Sequence, residues 1–220
     1  MPRSVLGALR ALRWFPAVVG CGRAQRMSTQ QGRFVSMGVM SLEHDCFVVL
    51  TGGPGSGKSA LADALGERGF ARTREAGRAV IRDQTEIGGT ALPWADRELF
   101  AELMLCWEMR SHRTAPRDGA PVFFDRGIPD VAGYLRLEGR AVPAHVDAAA
   151  RRFRYNRRVF VAPPWPRIYH RDAERRQSPE VAERTYHVMV EVYAEYGYEL
   201  VTLPRASVAE RVRFVLNSLG

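Results

Sequence analysis

CFVVLTGGPGSGKS, residues 46–59, runs a short, unbroken apolar stretch straight into a bend with four glycines. Cys46–Thr51 lacks polar alternation, as a strand buried on both faces must. The bend Gly52–Ser59, GGPGSGKS, fits the pattern G-x-x-x-x-G-K-S/T. Its glycines let the backbone turn tightly and bring N–H groups against phosphate oxygens. A helix opening at Ser59 and stopping near Gly69 aims its positive end at the same anion. Gly52, Gly53, Pro54, Gly55, Ser56, Gly57, Lys58 and Ser59 are therefore the expected phosphate-binding residues. Lys58 is the only lysine in the chain, at the one place where a mobile ammonium can reach the β- and γ-phosphates. The Ser59 hydroxyl is of the kind that ligates Mg²⁺. A glycine-rich turn ending in GKS by chance is the competing explanation; the strand before it and the helix after it argue against that.

Working outward, the chain alternates apolar strands and helices. Strands are expected at 70–74, 121–125, 158–162 and 198–203. Helices are expected at 77–85, 94–113, 128–137, 145–153, 179–196 and 207–219. The helix over 94–113 shows Leu99, Leu103 and Trp107 on one stripe beside Phe100 and Met104, read as core. Ser178 with Pro179, and Ser207 with Glu210, have the spacing of helix starts. The alternation predicts an α/β fold with a parallel sheet covered on both faces, without repeats.

VFFDRGIPD, residues 122–130, ends a second buried strand in Asp125. An acid there is placed to serve the magnesium beside Ser59, provided its strand neighbours the first; otherwise it caps the following turn. Arg126 and Asp130 fall at the carboxyl end of the sheet, where α/β proteins bind ligands, although either is equally readable as a solvated loop charge. REAGR, residues 74–78, offers Glu75 and Arg78 to an acceptor. Glu75 is a candidate general base for an acceptor hydroxyl, or a carboxylate that merely favours a helix start. The excursion PPWPRIYHRDAERRQS, 163–178, carries Arg167, Arg171, Arg175 and Arg176. Of these, Arg175 and Arg176, nearest the helix entry, are expected to act as a lid on the transferring group; the alternative is a basic, solvated loop.

Composition narrows the classes. The 220 residues carry a net charge of +8, but residues 1–42 hold six arginines and no acid. The remainder, with 26 basic and 24 acidic residues, is nearly neutral, so no nucleic-acid partner is expected for the body. Three cysteines without a CxxC pair, and five histidines without ligand spacing, disfavour a disulfide framework or zinc. No apolar run reaches the roughly 18 residues of a membrane span. A cytoplasmic location is expected. Residues 1–42 read as a disordered or dispensable Arg-rich tail, with a transit peptide and a later start at Met27, Met37 or Met40 left open. The domain proper is expected over 43–220.

FVVLTGGPGSGKS, REAGR, VFFDRGIPD, APPWP with AERRQ, and YGYELVTLP, taken in this order, resemble the predicted P-loop ATPases called the AAA_28 type. That group is similar to the ribosylnicotinamide kinase domain of NadR-like proteins, and the likeness covers residues 46–219. It implies a nucleoside-kinase-like three-layer sandwich with sheet order 2-3-1-4-5. It also implies nucleotide binding at Gly52–Ser59, Mg²⁺ near Ser59 and Asp125, and a lid near Arg175. Arg126 stands where AAA+ motors carry a catalytic acid, and the body is short, so a hexameric motor is not implied. The expected activity is transfer of phosphate from ATP or GTP, with Mg²⁺, to a small hydroxylated acceptor. Lys58, Asp125, Glu75, Arg175 and Arg176 would be catalytic, and Glu75, Arg78, Arg126 and Asp130 would hold the acceptor. The alternative is a nucleotide-dependent switch or slow NTPase with a protein or lipid partner.

Overall fold

Five strands lie parallel in the order β2-β3-β1-β4-β5. They are β1 (Phe47–Gly52), β2 (Ala71–Arg72), β3 (Val122–Asp125), β4 (Arg158–Ala162) and β5 (Glu199–Thr202). Among the described residues seven helices connect and follow them: α1 (Lys58–Gly66), α2 (Ala76–Ile87), α3 (Arg97–Thr114), α4 (Ile128–Leu137), α5 (Ala144–Arg152), α6 (Pro179–Glu195) and α7 (Val208–Leu219). The computed structural model describes residues 45–166 and 178–220. The tail expectation and the lid arginines Arg167, Arg171, Arg175 and Arg176 lie outside them. Among the described residues no helix is long and apolar enough to cross a membrane.

β1 is buried along its whole length, and alternation splits its side chains between two cores. Phe47 and Val49 join Phe124, Val131, Val146 and Val192 on the face covered by α2 to α6. Val48 and Leu50 join Leu61, Leu65, Phe123, Phe160 and Val215 on the face covered by α1 and α7. Each such side chain stabilises the fold by roughly 1.5–3 kcal/mol on burial. This two-sided demand explains the absence of polar alternation in the sequence of β1.

The register positions the chemistry. Leu50 of β1 is level with Asp125 of β3 on one side and Phe160 of β4 on the other. Both neighbours of β1 therefore end where the glycine bend begins, at the carboxyl edge where the chain's connections diverge.

One element departs from expectation. α3 begins at Arg97 rather than near Trp94, because the Asp96 carboxylate accepts the Leu99 N–H at 2.9 Å and sets the first turn. Trp94 stays in the preceding turn, 65% exposed. The buried stripe is Phe100, Ala101, Met104, Leu105, Glu108 and His112, while Leu99 is exposed. At the other end, the Ser207–Glu210 capping box forms as its spacing predicts, with Ser207 Oγ accepting from the Glu210 N–H and the carboxylate accepting from the Ser207 N–H.

Candidate active site

The bend after β1 is held by close backbone approaches that leave no room for a Cβ. Gly52, at φ +122°, would place one 2.3 Å from the Ala162 carbonyl of β4, and Gly53 would place one 2.3 Å from the Ala182 carbonyl of α6. The loop is thus clamped between the sheet and α6, which fixes its amides for an anion. Ser56 Oγ donates to the Gly53 carbonyl at 2.8 Å. From the far end of the chain, Arg211 of α7, itself buried, donates to the Ser56 carbonyl at 3.0 Å.

Lys58 is buried and turned back onto this loop. Its Nζ donates to the Gly53 carbonyl at 2.6 Å and the Gly52 carbonyl at 3.0 Å, with Ser56 Oγ at 3.3 Å. Burial, aided by the Arg126 cation, pushes the ammonium down to about 7 against the pull of Asp125, Glu75 and Asp130. A buried lysine that makes no direct ion pair, at the N-terminus of α1, is arranged for a polyphosphate.

Ser59 opens α1, and its Oγ donates to Asp125 Oδ2 at 2.8 Å. Asp125 does not cap the next turn; the Gly127 N–H there goes to Asp130. Asp125 Oδ1 is buried with no partner. Burial, with the Glu75 carboxylate nearby, raises the Asp125 carboxyl above its usual range. A hydroxyl next to a carboxylate with one spare oxygen fits Mg²⁺, which takes few protein ligands and completes its shell with water and phosphate oxygens. Among the described residues no group of three or more His, Cys, Asp or Glu is placed to hold a metal ion.

Arg126 follows in the left-handed region at φ +81°, which aims its guanidinium across the carboxyl edge. Its Nε donates to Glu75 Oε1 at 2.9 Å and its other arm to Asp130 Oδ1 at 2.9 Å. Arg78 adds a 3.1 Å contact to Glu75 Oε2. Burial alone would raise the Glu75 carboxyl, but Arg126, Lys58 and Arg78 together hold it below the usual range. Glu75 stands at the start of α2, where its charge favours the helix dipole, and makes no side-chain capping hydrogen bond, its oxygens being taken by the two arginines instead. Asp130 is saturated: besides Arg126 it accepts from Thr51 Oγ1 at 2.6 Å, Tyr193 OH at 2.6 Å and the Gly127 N–H at 3.0 Å. It ties β1, α4, α6 and the arginine together and has no oxygen left over for a ligand.

A cavity of about 1270 Å³ starts at the phosphate loop, passes Glu75, Arg78 and Arg126, and continues into a chamber walled by α2, α3, α4 and α6. Four residues of the site escaped the sequence reading, two lining the cavity, Glu108 and Arg211, and two behind it, Thr51 and Tyr193. Thr51 and Tyr193 act by orienting Asp130, and Arg211 by holding the loop. Glu108 lies within the buried stripe of α3. An acid one turn after Met104 and two after Phe100 was a legible sign, since an unpaired carboxylate in an apolar stripe is rarely structural.

The fold is shared with P-loop kinases of solved structure. Deoxyadenosine kinase from M. mycoides is 12% identical, with a TM-score of 0.56 over 79% of this chain and 97% of that one. Thymidylate kinase from Ehrlichia chaffeensis is 14% identical, with a TM-score of 0.56 over 79% and 98%. NadR protein in complex with NR is 17% identical, with a TM-score of 0.59 over 81% of this chain and 51% of that one. No curated protein matches the chain. The sheet order, the loop after β1 and the acid ending β3 accord with the AAA domain of the AAA_28 type, which matches residues 47–211, and the chain belongs to that family.

Proposed function

We propose that the protein is a Mg²⁺-dependent phosphotransferase that moves the terminal phosphoryl group of ATP or GTP to a hydroxyl of a small metabolite. The carrying observation is the single cavity that begins at the phosphate loop and extends well past it. A pure nucleotide switch needs the first part only, whereas a transferase needs both, joined at Glu75 and Arg126. The kinase fold of the solved relatives supports the same reading.

The roles follow from geometry. The loop Gly52–Ser59 and Lys58 hold the phosphates. Ser59 and Asp125 would hold Mg²⁺, which would supply neutralisation of the phosphate charge. Glu75 stays ionised and accepts a hydrogen bond from the acceptor hydroxyl, which sets the attack direction. The acceptor oxygen bonds to the γ-phosphorus as the bond to the bridging oxygen breaks; the nucleoside diphosphate leaves and the hydroxyl proton passes to Glu75. A loose transition state delays that proton transfer, so a weak base suffices. Arg126 and Arg78 fix Glu75, and Asp130 fixes Arg126. Arg175 and Arg176 are assigned to the transferring group as lid cations. Catalysis of this kind is mostly positioning and electrostatics.

The test is incubation with Mg²⁺ and γ-labelled ATP or GTP over a panel of nucleosides, sugars and polyols, with mass detection of phosphorylated product. Product from wild type and none from Glu75→Gln or Lys58→Ala is expected. Nucleotide hydrolysis with no acceptor phosphorylated across the panel would replace this reading with the switch.

A further inference from the structure

Arg211 braces the phosphate loop with a charge that nothing answers. It is 2% exposed on α7; one arm of its guanidinium donates to the Ser56 carbonyl at 3.0 Å, and its Nε makes no hydrogen bond. Burial alone acts on the guanidinium, pushing it below the usual range, and no described carboxylate opposes that. Arg126, by contrast, lies between Glu75 and Asp130. Holding one carbonyl does not require a cation, since a neutral donor would serve at far lower desolvation cost. A buried charge without a counter-ion destabilises a fold. Positions that break a packing rule without a local gain mark functional sites. Arg211 lines the cavity at its loop end, together with Ser56, Gly57 and Lys58.

We propose that Arg211 is a positioning residue for the polyphosphate: through the Ser56–Gly57 peptide it aims and strengthens the Gly57 N–H, and its unpaired charge is answered by phosphate rather than by the base or sugar of the nucleotide. This rests on the reading of Gly52–Ser59 as a nucleotide site, and not on the identity of the acceptor. The Ser56 carbonyl and the Gly57 N–H belong to one planar trans peptide, so they point in opposite directions. With Arg211 on the carbonyl side, the N–H is turned away from α7, and no described backbone group accepts it. A charged donor on the carbonyl polarises the peptide and makes its N–H a better donor to an anion. Lys58 reaches the same residue from within the loop, with its Nζ 3.3 Å from Ser56 Oγ. Two buried cations therefore converge on Ser56, and a ligand with several negative charges relieves both.

The experiment titrates ATP and inorganic tripolyphosphate, each with Mg²⁺, into the full chain by calorimetry. Wild type, Arg211→Met, Arg211→Lys and Lys58→Met are compared, and each is melted without ligand. Arg211→Met, which keeps the length of the side chain without its charge, is expected to weaken both probes by the same factor, roughly tenfold or more. Arg211→Lys, which keeps the charge and a donor to Ser56, should stay within a few fold of wild type. The ligand-free Arg211→Met protein should melt no more than about 3 °C below wild type, because the loss of an unpaired buried charge offsets the loss of the carbonyl's donor. A larger fall would make Arg211 structural and overturn the inference. So would unchanged binding in Arg211→Met, binding as weak in Arg211→Lys as in Arg211→Met, or ATP weakened with tripolyphosphate untouched, which would put Arg211 on the nucleoside. Failure of the two ideas is separable. If Lys58→Met loses both probes while Arg211→Met keeps them, the Arg211 assignment falls alone. If wild type binds neither probe, or Lys58→Met binds both as wild type does, the reading of the loop falls and takes the assignment with it.

Discussion

Lys58 spends its hydrogen bonds on the loop it belongs to, and this has a measurable pH signature. The folded lysine loses its proton near 7 and the unfolded one near 10.5. The unfolded chain therefore binds more protons throughout that interval, and stability of the nucleotide-free protein rises with pH across it. Lys58→Met removes that slope, as thermal melts between pH 7 and 10 will show. A bound polyphosphate restores the proton, so nucleotide binding at pH 8 takes up a proton and weakens as pH rises further. Calorimetry in buffers of different ionisation enthalpy measures this. Lys58→Met should also lower nucleotide affinity by roughly tenfold or more. Asp125→Asn, which keeps the Ser59 contact but not the spare anionic oxygen, should cut Mg²⁺-dependent turnover by roughly a hundredfold and change nucleotide affinity far less. Asp130→Ala is of another kind. It strips four donors of a shared acceptor, and denaturant unfolding should show a loss of about 3 kcal/mol.

At the scale of elements, the phosphate loop is a contact between helices and sheet as much as a turn. Gly53→Ala would drive a methyl into the backbone of α6 at Ala182. A destabilisation of about 1–3 kcal/mol with weakened nucleotide binding is expected from melts and titrations. The strands, the loop and Asp125 were legible because each obeys a local rule: continuous apolar runs, glycines where the backbone crowds, an acid closing a buried strand. α3 was legible as a helix, and Phe100, Leu103, Met104 and Trp107 do pack on the core, but Leu99 of the same stripe is exposed and Trp94 stays in the turn before the Asp96 cap. Asp130 read as a ligand-facing charge, whereas Thr51 and Tyr193, 79 and 63 positions away, claim its oxygens. No local pattern encodes such long-range partners. Glu108 was overlooked although its spacing within the stripe of Phe100, Met104 and Leu105 marks it, because whether a distant side chain pairs it is not written in the local sequence.

For the whole molecule, charge and chemistry separate along the chain. The six arginines of residues 1–42 account for most of the net +8. Retention on heparin or nonspecific DNA should fall sharply in a 43–220 variant, while nucleotide affinity stays within about twofold, since backbone-phosphate binding tracks exposed basic charge. The hydrogen bond from Arg211 to Ser56 spans 155 positions. A chain emerging from the ribosome builds its early elements first, at about 5–20 residues per second. The loop is translated early, yet this brace arrives only with α7. Until α7 has left the ribosome the phosphate loop stands without it, so a nascent chain should gain its grip on nucleotide late.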